Sequence, residues 1–164
     1  MKKLSILVTI LAFTLSASSQ EFRQAIGLRG GITPGFEYRV FSDETNSYKF
    51  LLSSRDNGIQ FHAIREFHSY GLFSFSDQLN FVYGVGLHAG YIRYGITRLY
   101  YNTHYYDRTS AFIGGLDGLA GLEYDFLRIP ISAGVEVKPF FDLFGEQLFY
   151  IQPFDFAFTL KYRF

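Results

Sequence analysis

Apolar and polar residues alternate with a period of two along most of this chain, and the pattern is most regular in its last stretch, residues 154–164. Every second residue from Phe154 to Phe164 is aromatic or Leu, whereas the residues between them are Asp, Ala, Thr, Lys and Arg. Because successive side chains of a strand point to opposite faces, this pattern predicts a strand with one apolar and one polar face. An apolar face turned to lipid and a polar face turned to a barrel interior are typical of transmembrane β-strands.

The same division into two faces recurs in seven earlier segments. Their predicted bounds are 24–31, 35–41, 47–55, 59–68, 79–93, 112–126 and 131–140. Together with the last segment they predict an all-β fold, an eight-stranded antiparallel up-and-down transmembrane β-barrel with both termini at one end. The last strand is expected to close the barrel by pairing with residues 24–31.

Turns and loops are predicted where the alternation stops. Asn57-Gly58 favours the two positive φ angles of a tight hairpin turn. The predicted turns lie at 33–35, 42–46, 56–58 and 127–129, and longer connections are predicted at 69–78, 95–111 and 142–153. The strand register around the connection at 69–78 stays open.

A soluble antiparallel barrel or sandwich is the alternative architecture, since its strands also alternate apolar and polar residues. Glycines favour the membrane barrel. Gly84, Gly86 and Gly90 share the polar face of one predicted strand with His88, and a narrow barrel interior needs small residues on that face.

The start of the chain has the features of a secretory signal peptide. Met1-Lys2-Lys3 is basic, an apolar run follows over 4–15, and small residues precede Gln20. A retained anchor helix is the alternative, but the run is shorter than the roughly 20 residues that a membrane span needs. The predicted organisation is therefore a signal peptide at 1–19 and one barrel domain at 20–164.

Composition supports a β-rich chain and excludes several classes of site. There are 20 Phe, 13 Tyr and 16 Gly but only 4 Pro and no Trp. The absence of Cys excludes disulfides, thiolate metal sites and a lipid-anchored Cys. Without the two lysines of the signal peptide, 13 of the 15 basic residues stand against 15 acidic ones, so no basic surface for nucleic acid is predicted.

Four segments carry a resemblance to a known family: Ala17-Ser18-Ser19 before Gln20, and residues 83–90, 118–124 and 160–164. With them the chain resembles the small eight-stranded outer-membrane β-barrels of Gram-negative bacteria, the OmpA/OmpX-like group with an outer membrane protein β-barrel domain. The resemblance implies a monomer in the outer membrane, surrounded by its lipids. It also implies that the barrel-assembly machinery recognises the closing strand through Phe158, Leu160, Tyr162 and Phe164.

Charged residues on the polar faces are expected to pair across the lumen into a plug, since a narrow interior cannot hold unpaired charges cheaply. Eight strands leave an interior that side chains nearly fill, so no open pore is predicted, and a proton or ion path is the alternative. The expected interior charges are Arg29, Glu37, Arg39, Lys49, Glu66, Asp117, Glu123, Glu136, Lys138, Lys161 and Arg163. Glu123 and Glu136 are the expected partners of Lys161.

Two of the four histidines, His62 and His88, are predicted to point inward on adjacent strands, with Glu66 nearby. Among the histidines, only this arrangement suggests a metal site. Hydrogen-bonded lumen histidines are the favoured interpretation, and no metal or cofactor is predicted.

The predicted connection at 95–111 carries the remaining candidate chemistry. His104, Asp107 and Ser110 have the residue types of a hydrolytic triad, but spacing alone does not establish one. No enzyme is therefore predicted, and a lipid-modifying hydrolase or acyltransferase stays as the alternative. Rings with polar groups suit the binding of an extracellular protein or glycan, unless they form an aromatic belt on a strand that continues above the bilayer. These residues are Tyr100, Tyr101, His104, Tyr105 and Tyr106.

The function predicted from the sequence is thus a structural, adhesion or surface-interaction role exerted through extracellular loops. A binder of a small hydrophobic ligand within the barrel is a further alternative. The polar interior and the loop tyrosines are the features that decide between these functions.

Overall fold

The computed structural model describes residues 23–100, 103–145 and 149–164, with the backbone alone over 94–100 and 103–109. The predicted signal peptide at 1–19 lies outside the described residues. No helix within the described ranges is long and apolar enough to cross a membrane.

Ten β-segments make up the described chain. They are β1 Gln24–Gly31, β2 Gly35–Phe41, β3 Asn46–Arg55, β4 Gly58–Ser69, β5 Leu79–Tyr100, β6 Thr103–Asp125, β7 Ile131–Val137, β8 Phe140–Phe144, β9 Tyr150–Gln152 and β10 Phe156–Arg163. β1 to β7 pair in sequence, and all pairs are antiparallel. β7 and β8 both pair with β6, and they are the two parts of one strand of the wall, interrupted at Pro139. β9 and β10 form the eighth strand, interrupted around Pro153. Proline has no N–H for the sheet, which explains both interruptions.

The barrel closes between the first and last segments. β10 pairs with β1 from Ala25↔Arg163 to Gly31↔Ala157, and with β7 on its other side. Gln24 and Phe164 exchange two backbone hydrogen bonds, at 3.0 and 2.8 Å. The predicted eight-stranded antiparallel barrel and its closing strand pair are confirmed.

Both described ends of the chain lie at one end of the barrel, together with the connections at 42–45, 70–78 and 126–130; this is called the terminal end. At the 42–45 turn, Asp43 accepts hydrogen bonds from the Asn46 side chain and from Thr45. These bonds hold the pKa of Asp43 below its ordinary value. The opposite end, with the β1–β2 and β3–β4 turns, is called the hairpin end. Asp56 and Asn57 have φ of 47° and 55° there, so the predicted tight turn is confirmed.

The prediction of a long loop at 95–111 was wrong. β5 and β6 stay paired up to Tyr100↔Thr103, and they form one long hairpin. Nine residue pairs, beginning with Ile92↔Ala111, continue beyond Ile59↔Tyr91, the last pair of β4 with β5. A two-stranded ribbon outside the barrel wall has no interior to line, so its sequence need not alternate as the wall does.

The loop predicted at 142–153 is also shorter than expected. β8 continues to Phe144 and pairs with β9, for instance at Phe141↔Ile151. The alternation did not predict this pairing, because Asp142 is charged and residue 153 is a proline.

The wall has the two faces that the alternation predicts. Ring and aliphatic side chains of the outer face are exposed, with Phe158 at 75 % and Phe36 at 69 %. The interior is mostly polar, with a small apolar cluster of Ile64, Val82 and Leu119. The glycines of β5 are needed there, because a Cβ on Gly86 would lie 2.7 Å from the Ile64 side chain.

Candidate functional site

Ion pairs across the lumen near the terminal end join strands from opposite sides of the barrel. Arg39 on β2 contacts Glu66 through Nε at 2.6 Å and Glu123 on β6 through Nη1 at 2.8 Å. Lys161 on β10 lies 2.8 Å from the same Glu123 and 3.2 Å from Glu37. All five side chains are buried, so this layer ties four strands of the wall together across its axis.

A second layer of ion pairs adjoins the first. Lys49 Nζ lies 2.6 Å from Glu136 and 2.8 Å from Glu37. Arg29 Nε donates to Glu136 at 2.7 Å, and its Nη2 lies 3.2 Å from Asp155. Glu136 therefore binds two cations, as Glu123 does in the first layer.

Lys138 connects these layers to a histidine cluster nearer the hairpin end. Its Nζ lies 3.2 Å from Asp155 and 3.9 Å from Asp117. It also lies 4.7 Å from the centre of the Phe140 ring, a cation–π distance.

The histidine cluster consists of His62 on β4, His88 on β5, Asp117 on β6 and Asp142 on β8. His62 Nδ1 lies 2.8 Å from Asp117 Oδ2, and His88 Nδ1 lies 3.0 Å from Asp117 Oδ1. His88 Nε2 lies 2.8 Å from Asp142 Oδ1. Both ring nitrogens of His88 face carboxylate oxygens, an arrangement in which a protonated ring donates from both nitrogens. Ser53 Oγ is 2.9 Å from His62 Nε2 and donates to it.

Arg55 covers the histidine cluster on the side of the hairpin end. Its Nη1 is 2.9 Å from Asp142, and its guanidinium lies over the rings of Phe140 and Tyr150, at 4.5 and 5.1 Å from their centres. Stacked and paired in this way, Arg55 separates the cluster from solvent at that end.

The described interior contains one carboxylate more than it has lysine and arginine partners. The acids are Glu37, Glu66, Asp117, Glu123, Glu136, Asp142 and Asp155, and the bases are Arg29, Arg39, Lys49, Arg55, Lys138 and Lys161. Seven negative charges thus face six positive ones, and the surplus lies where His88 sits between two carboxylates. A protonated histidine or a bound cation at this position neutralises the interior.

The structure places the sequence-predicted interior residues as follows. Those of the proposed network lie buried inside the barrel: Arg29, His62, Glu66, His88, Asp117, Glu123, Glu136, Lys138 and Lys161. Glu37, Arg39 and Lys49 are buried with them, whereas Arg163 lies at the rim and pairs with Asp125 at 3.0 Å.

The expected grouping of His62 and His88 with Glu66 was wrong. Glu66 was expected beside His62 and His88, but it binds Arg39 and accepts a hydrogen bond from Ser47. Asp117 takes its place beside the two histidines. Glu66 follows His62 by four residues on the same strand, which carries it two inward positions along the strand. Asp117 lies on β6, next to the strand of His88, and faces Gly86, which makes it a diagonal neighbour of His88 on the inner face.

Sequence reasoning missed several members of the site. Asp142 was assigned to a loop, and Ser53, Arg55 and Asp155 were not named among the expected interior partners. The alternation identifies inward positions, but it does not give their height along the barrel axis, and height decides which of them meet.

The structure describes only some of the side chains predicted for the assembly signal and for the surface interaction. Phe158, Leu160 and Phe164 are exposed on the outer face, and Tyr162 is half-buried. Tyr100, His104, Tyr105 and Tyr106 belong to β5 and β6, with only their backbone described, and Tyr101 lies outside the described residues.

Ser53, His62 and Asp117 follow one another in the order of a hydrolytic triad. Ser53 is 2 % exposed and His62 and Asp117 are 0 % and 3 % exposed. An acyl group cannot reach a hydroxyl enclosed by the wall and by Arg55, so the chain of hydrogen bonds is better explained as an internal contact.

A cavity of about 500 Å³ opens at the terminal end. Phe41, His68, Tyr70 and Asn80 line it, and it extends inward as far as Glu123. Beyond Glu123 the side chains of the first ion layer fill the lumen. Charged and polar side chains thus occupy the described lumen beyond the cavity, whereas the cavity itself is lined by both apolar and polar groups.

Comparisons with known proteins give a structural match. No protein-family model matches the chain, and no curated protein sequence matches it. The N-terminal β-barrel domain of Pseudomonas aeruginosa OprF matches with a TM-score of 0.53 and 12 % sequence identity, over 86 % of this chain and 95 % of that domain. At this identity the match concerns the fold. The chain thus has the closed eight-stranded antiparallel barrel fold of the OprF N-terminal domain, and its resemblance to the small eight-stranded barrels is confirmed at the level of the fold.

Proposed function

We propose that this protein is a non-conducting outer-membrane barrel that presents the β5–β6 hairpin to a ligand outside the cell. The observation that carries the proposal is the hairpin itself, which extends beyond β4 while the wall beneath it is apolar outside and plugged inside. The location, the absence of conduction and the ligand are separate parts of the proposal, and each has its own test.

The outer face supports a location in a membrane. Exposed aromatic and aliphatic residues occur on every strand of the wall, for example Leu28 at 55 %, Phe61 at 51 % and Leu87 at 61 %. A belt of this kind around a closed barrel is unfavourable in water and favourable in lipid. The likeness to the OprF domain favours the outer membrane among bacterial membranes.

The direction of the barrel follows from the lengths of its connections. Short turns at the periplasmic side and long hairpins outside are typical of such barrels. The β5–β6 hairpin would then extend by nine residue pairs, roughly 30 Å at about 3.3 Å per residue. The terminal end, where no described connection is as long as this hairpin, would face the periplasm.

The hairpin offers the residue types that bind proteins and glycans. Tyr100, Tyr101, Tyr105 and Tyr106 lie around its tip together with His104. Tyrosine contributes a large apolar ring at low cost in conformational entropy, together with a hydroxyl that donates and accepts hydrogen bonds. A surface-interaction or adhesion role follows, with an extracellular protein or glycan as the ligand.

The proposal also includes recognition of the closing strand during assembly of the barrel. The closing strand presents Phe158, Leu160, Tyr162 and Phe164 to the barrel-assembly machinery before it pairs with β1. Replacing Phe164 with Ala is expected to lower the amount of folded barrel in cells while leaving refolding in detergent nearly unchanged. An equal loss in both settings would assign Phe164 to stability alone.

Location and conduction can be tested on the full-length protein. Expression should place the chain in the outer-membrane fraction with heat-modifiable migration, and purified barrel in planar bilayers should give no steady channel current. Recovery in the soluble periplasmic fraction would contradict the location. A steady ohmic current would contradict the plugged lumen.

The role of the β5–β6 hairpin is tested by comparing substitutions there with substitutions at the terminal end of the barrel. Replacing the four tip tyrosines with Ser should abolish adhesion of expressing cells to immobilised glycans and matrix proteins. Replacing Tyr70 and Phe75, which are exposed at the terminal end, with Ser should leave adhesion unchanged. Adhesion that survives the tip substitutions, with surface display intact, would remove the interaction role.

A further inference from the structure

We propose that His62, His88 and Asp117 form a binding site for a divalent transition metal ion, with Zn²⁺ as the best-fitting candidate, inside the barrel near the hairpin end. The inference rests on the arrangement of the interior and is independent of the proposed surface role.

Each of the three residues offers one ligand atom, and these atoms all lie within 4.8 Å of one another. His62 and His88 are direct partners across β4 and β5. Asp117 on β6 pairs with Gly86 on β5 and is therefore a diagonal neighbour of His88 on the same inner face. Three adjacent strands of a closed sheet hold the ligand atoms, so the site is preorganised.

The outer ring nitrogens are oriented as they are in metal-binding histidines. Such a histidine donates its second N–H to a carboxylate, a carbonyl or another oxygen, which fixes the ring. His88 Nε2 has Asp142 Oδ1 at 2.8 Å, and His62 Nε2 has Ser53 Oγ at 2.9 Å. Both Nδ1 atoms point to Asp117, on the side where the metal would lie.

Metal binding here exchanges protons for the ion and leaves each outer hydrogen bond in place. His62 moves its proton from Nδ1 to Nε2 and then donates to Ser53, whose hydroxyl turns round to accept. His88 loses its Nδ1 proton to solvent and keeps the Nε2 proton on Asp142. One proton is released for each ion bound, and both Nδ1 lone pairs become ligands.

The donor set and the charge favour a borderline metal. Two imidazole nitrogens and a carboxylate suit Zn²⁺, Ni²⁺, Co²⁺ or Cu²⁺ better than Mg²⁺ or Ca²⁺, which prefer oxygen ligands. Asp117 and Asp142 supply negative charge around the site. The Lys138 ammonium, 3.9 Å from Asp117, opposes the ion and is expected to weaken its binding. Water would complete the coordination at a fourth position.

A hydrogen-bonded His–Asp–His cluster without a metal is the competing explanation, and metal stoichiometry separates the two. The untagged mature chain, refolded in detergent with one equivalent of ZnCl₂ and passed over a desalting column, should retain about one zinc per chain by mass spectrometry. X-ray absorption should report nitrogen and oxygen ligands at about 2.0–2.2 Å. MgCl₂ in place of ZnCl₂ should leave no retained metal.

Matched variants locate the ion. His62→Gln and His88→Gln should each lower zinc affinity at least 10-fold. His68→Gln is the control, because His68 is also buried but bonds Ser47 near the terminal end. It should retain zinc as the wild type does. All variants carry His104→Ala to remove the hairpin histidine, and heat-modifiable migration checks that each one folds.

Lys138→Met tests the electrostatic part of the proposal, because loss of the ammonium should tighten zinc binding several-fold. A structural role of the cluster alone does not change a zinc affinity in this direction. The proposal is overturned if folded wild type retains much less than one zinc per chain, or if His62→Gln and His88→Gln retain as much as His68→Gln. If a variant fails to fold, the X-ray absorption spectrum of zinc bound to the wild type still tests the proposal, because it reports the ligand atoms directly.

Discussion

Arg39 and Glu123 face each other from opposite sides of the barrel and meet across its axis, with Nη1 2.8 Å from Oε1. Arg39 lies on the second strand of the wall and Glu123 on the sixth, so four strand positions separate them on either path round the barrel. Their contact therefore braces the wall across its full width.

Replacing Arg39 with Ala should destabilise the barrel by about 3–5 kcal/mol, because buried Glu66 then keeps only the more distant Lys49, at 3.6 Å, and Glu123 keeps only Lys161 as a cation partner. Urea unfolding in detergent micelles, followed by far-UV circular dichroism, measures the change in the free energy of unfolding. Arg39→Ala combined with Glu123→Gln should cost less than the sum of the two single changes. Full additivity would mean that the two side chains act independently.

Replacing Asp117 with Leu removes the acceptor shared by His62 and His88, since it takes away both oxygens that their Nδ1 atoms contact. In chelator-treated protein the expected loss is about 2–3 kcal/mol, as two buried donors lose their partner. The free energy of unfolding in urea measures it. Asp77→Leu, at an exposed position of the 70–78 connection, serves as the control and should change stability little. Equal losses would contradict a specific role of the Asp117 carboxylate.

Replacing Phe158 with Arg tests the lipid-facing belt. Phe158 is 75 % exposed in the middle of β10, whereas Phe75 is 78 % exposed in the connection at the terminal end. Phe158→Arg should cost about 2–4 kcal/mol in a bilayer, since it places a charge in hydrocarbon. Phe75→Arg should change the free energy of unfolding little, because the side chain at this position contacts water or lipid headgroups. Unfolding in lipid vesicles distinguishes them, and similar costs would mean that the belt does not include Phe158.

Replacing Asn57 with Val tests the β3–β4 turn. Its φ of 55° is in the left-handed region, which a β-branched residue tolerates poorly. The expected loss is about 1–2 kcal/mol for Val, whereas Asn57→Gly should be neutral or slightly stabilising. Urea midpoints of the two variants give the comparison. A neutral Val variant would show that the turn rearranges without cost.

The strand order and the faces of this barrel were accessible to sequence reasoning because each wall strand has an environment that differs between its two sides. The pairing of β1 with the closing strand and the inward turn of Lys161 follow from that difference together with closure of the barrel. The partners of Lys161 were only partly anticipated. Glu123 was expected and lies 2.8 Å away, whereas the second carboxylate at ion-pair distance is Glu37. Glu136 instead binds Arg29 and Lys49.

A strand that continues above the barrel was considered only as an alternative to a loop, because Tyr105 and Tyr106 are consecutive and break the alternation. Backbone hydrogen bonds between β5 and β6 maintain the pairing there without an interior to select side chains. Asp142 was missed for a related reason, since the short segments β8 and β9 provide too few residues for a period of two to be visible.

By itself, the sequence determined the architecture: alternation between outward-facing rings and small or charged residues permits a closed eight-stranded barrel and determines which side chains enter it. The tertiary structure alone decided which interior residues meet. Those contacts depend on the stagger of the strands and on the height of each residue along the barrel axis, which a period of two does not encode. That height separates Glu66 from His62 and brings Asp117 to both histidines, and it is the reason that the candidate site became visible only in the folded barrel.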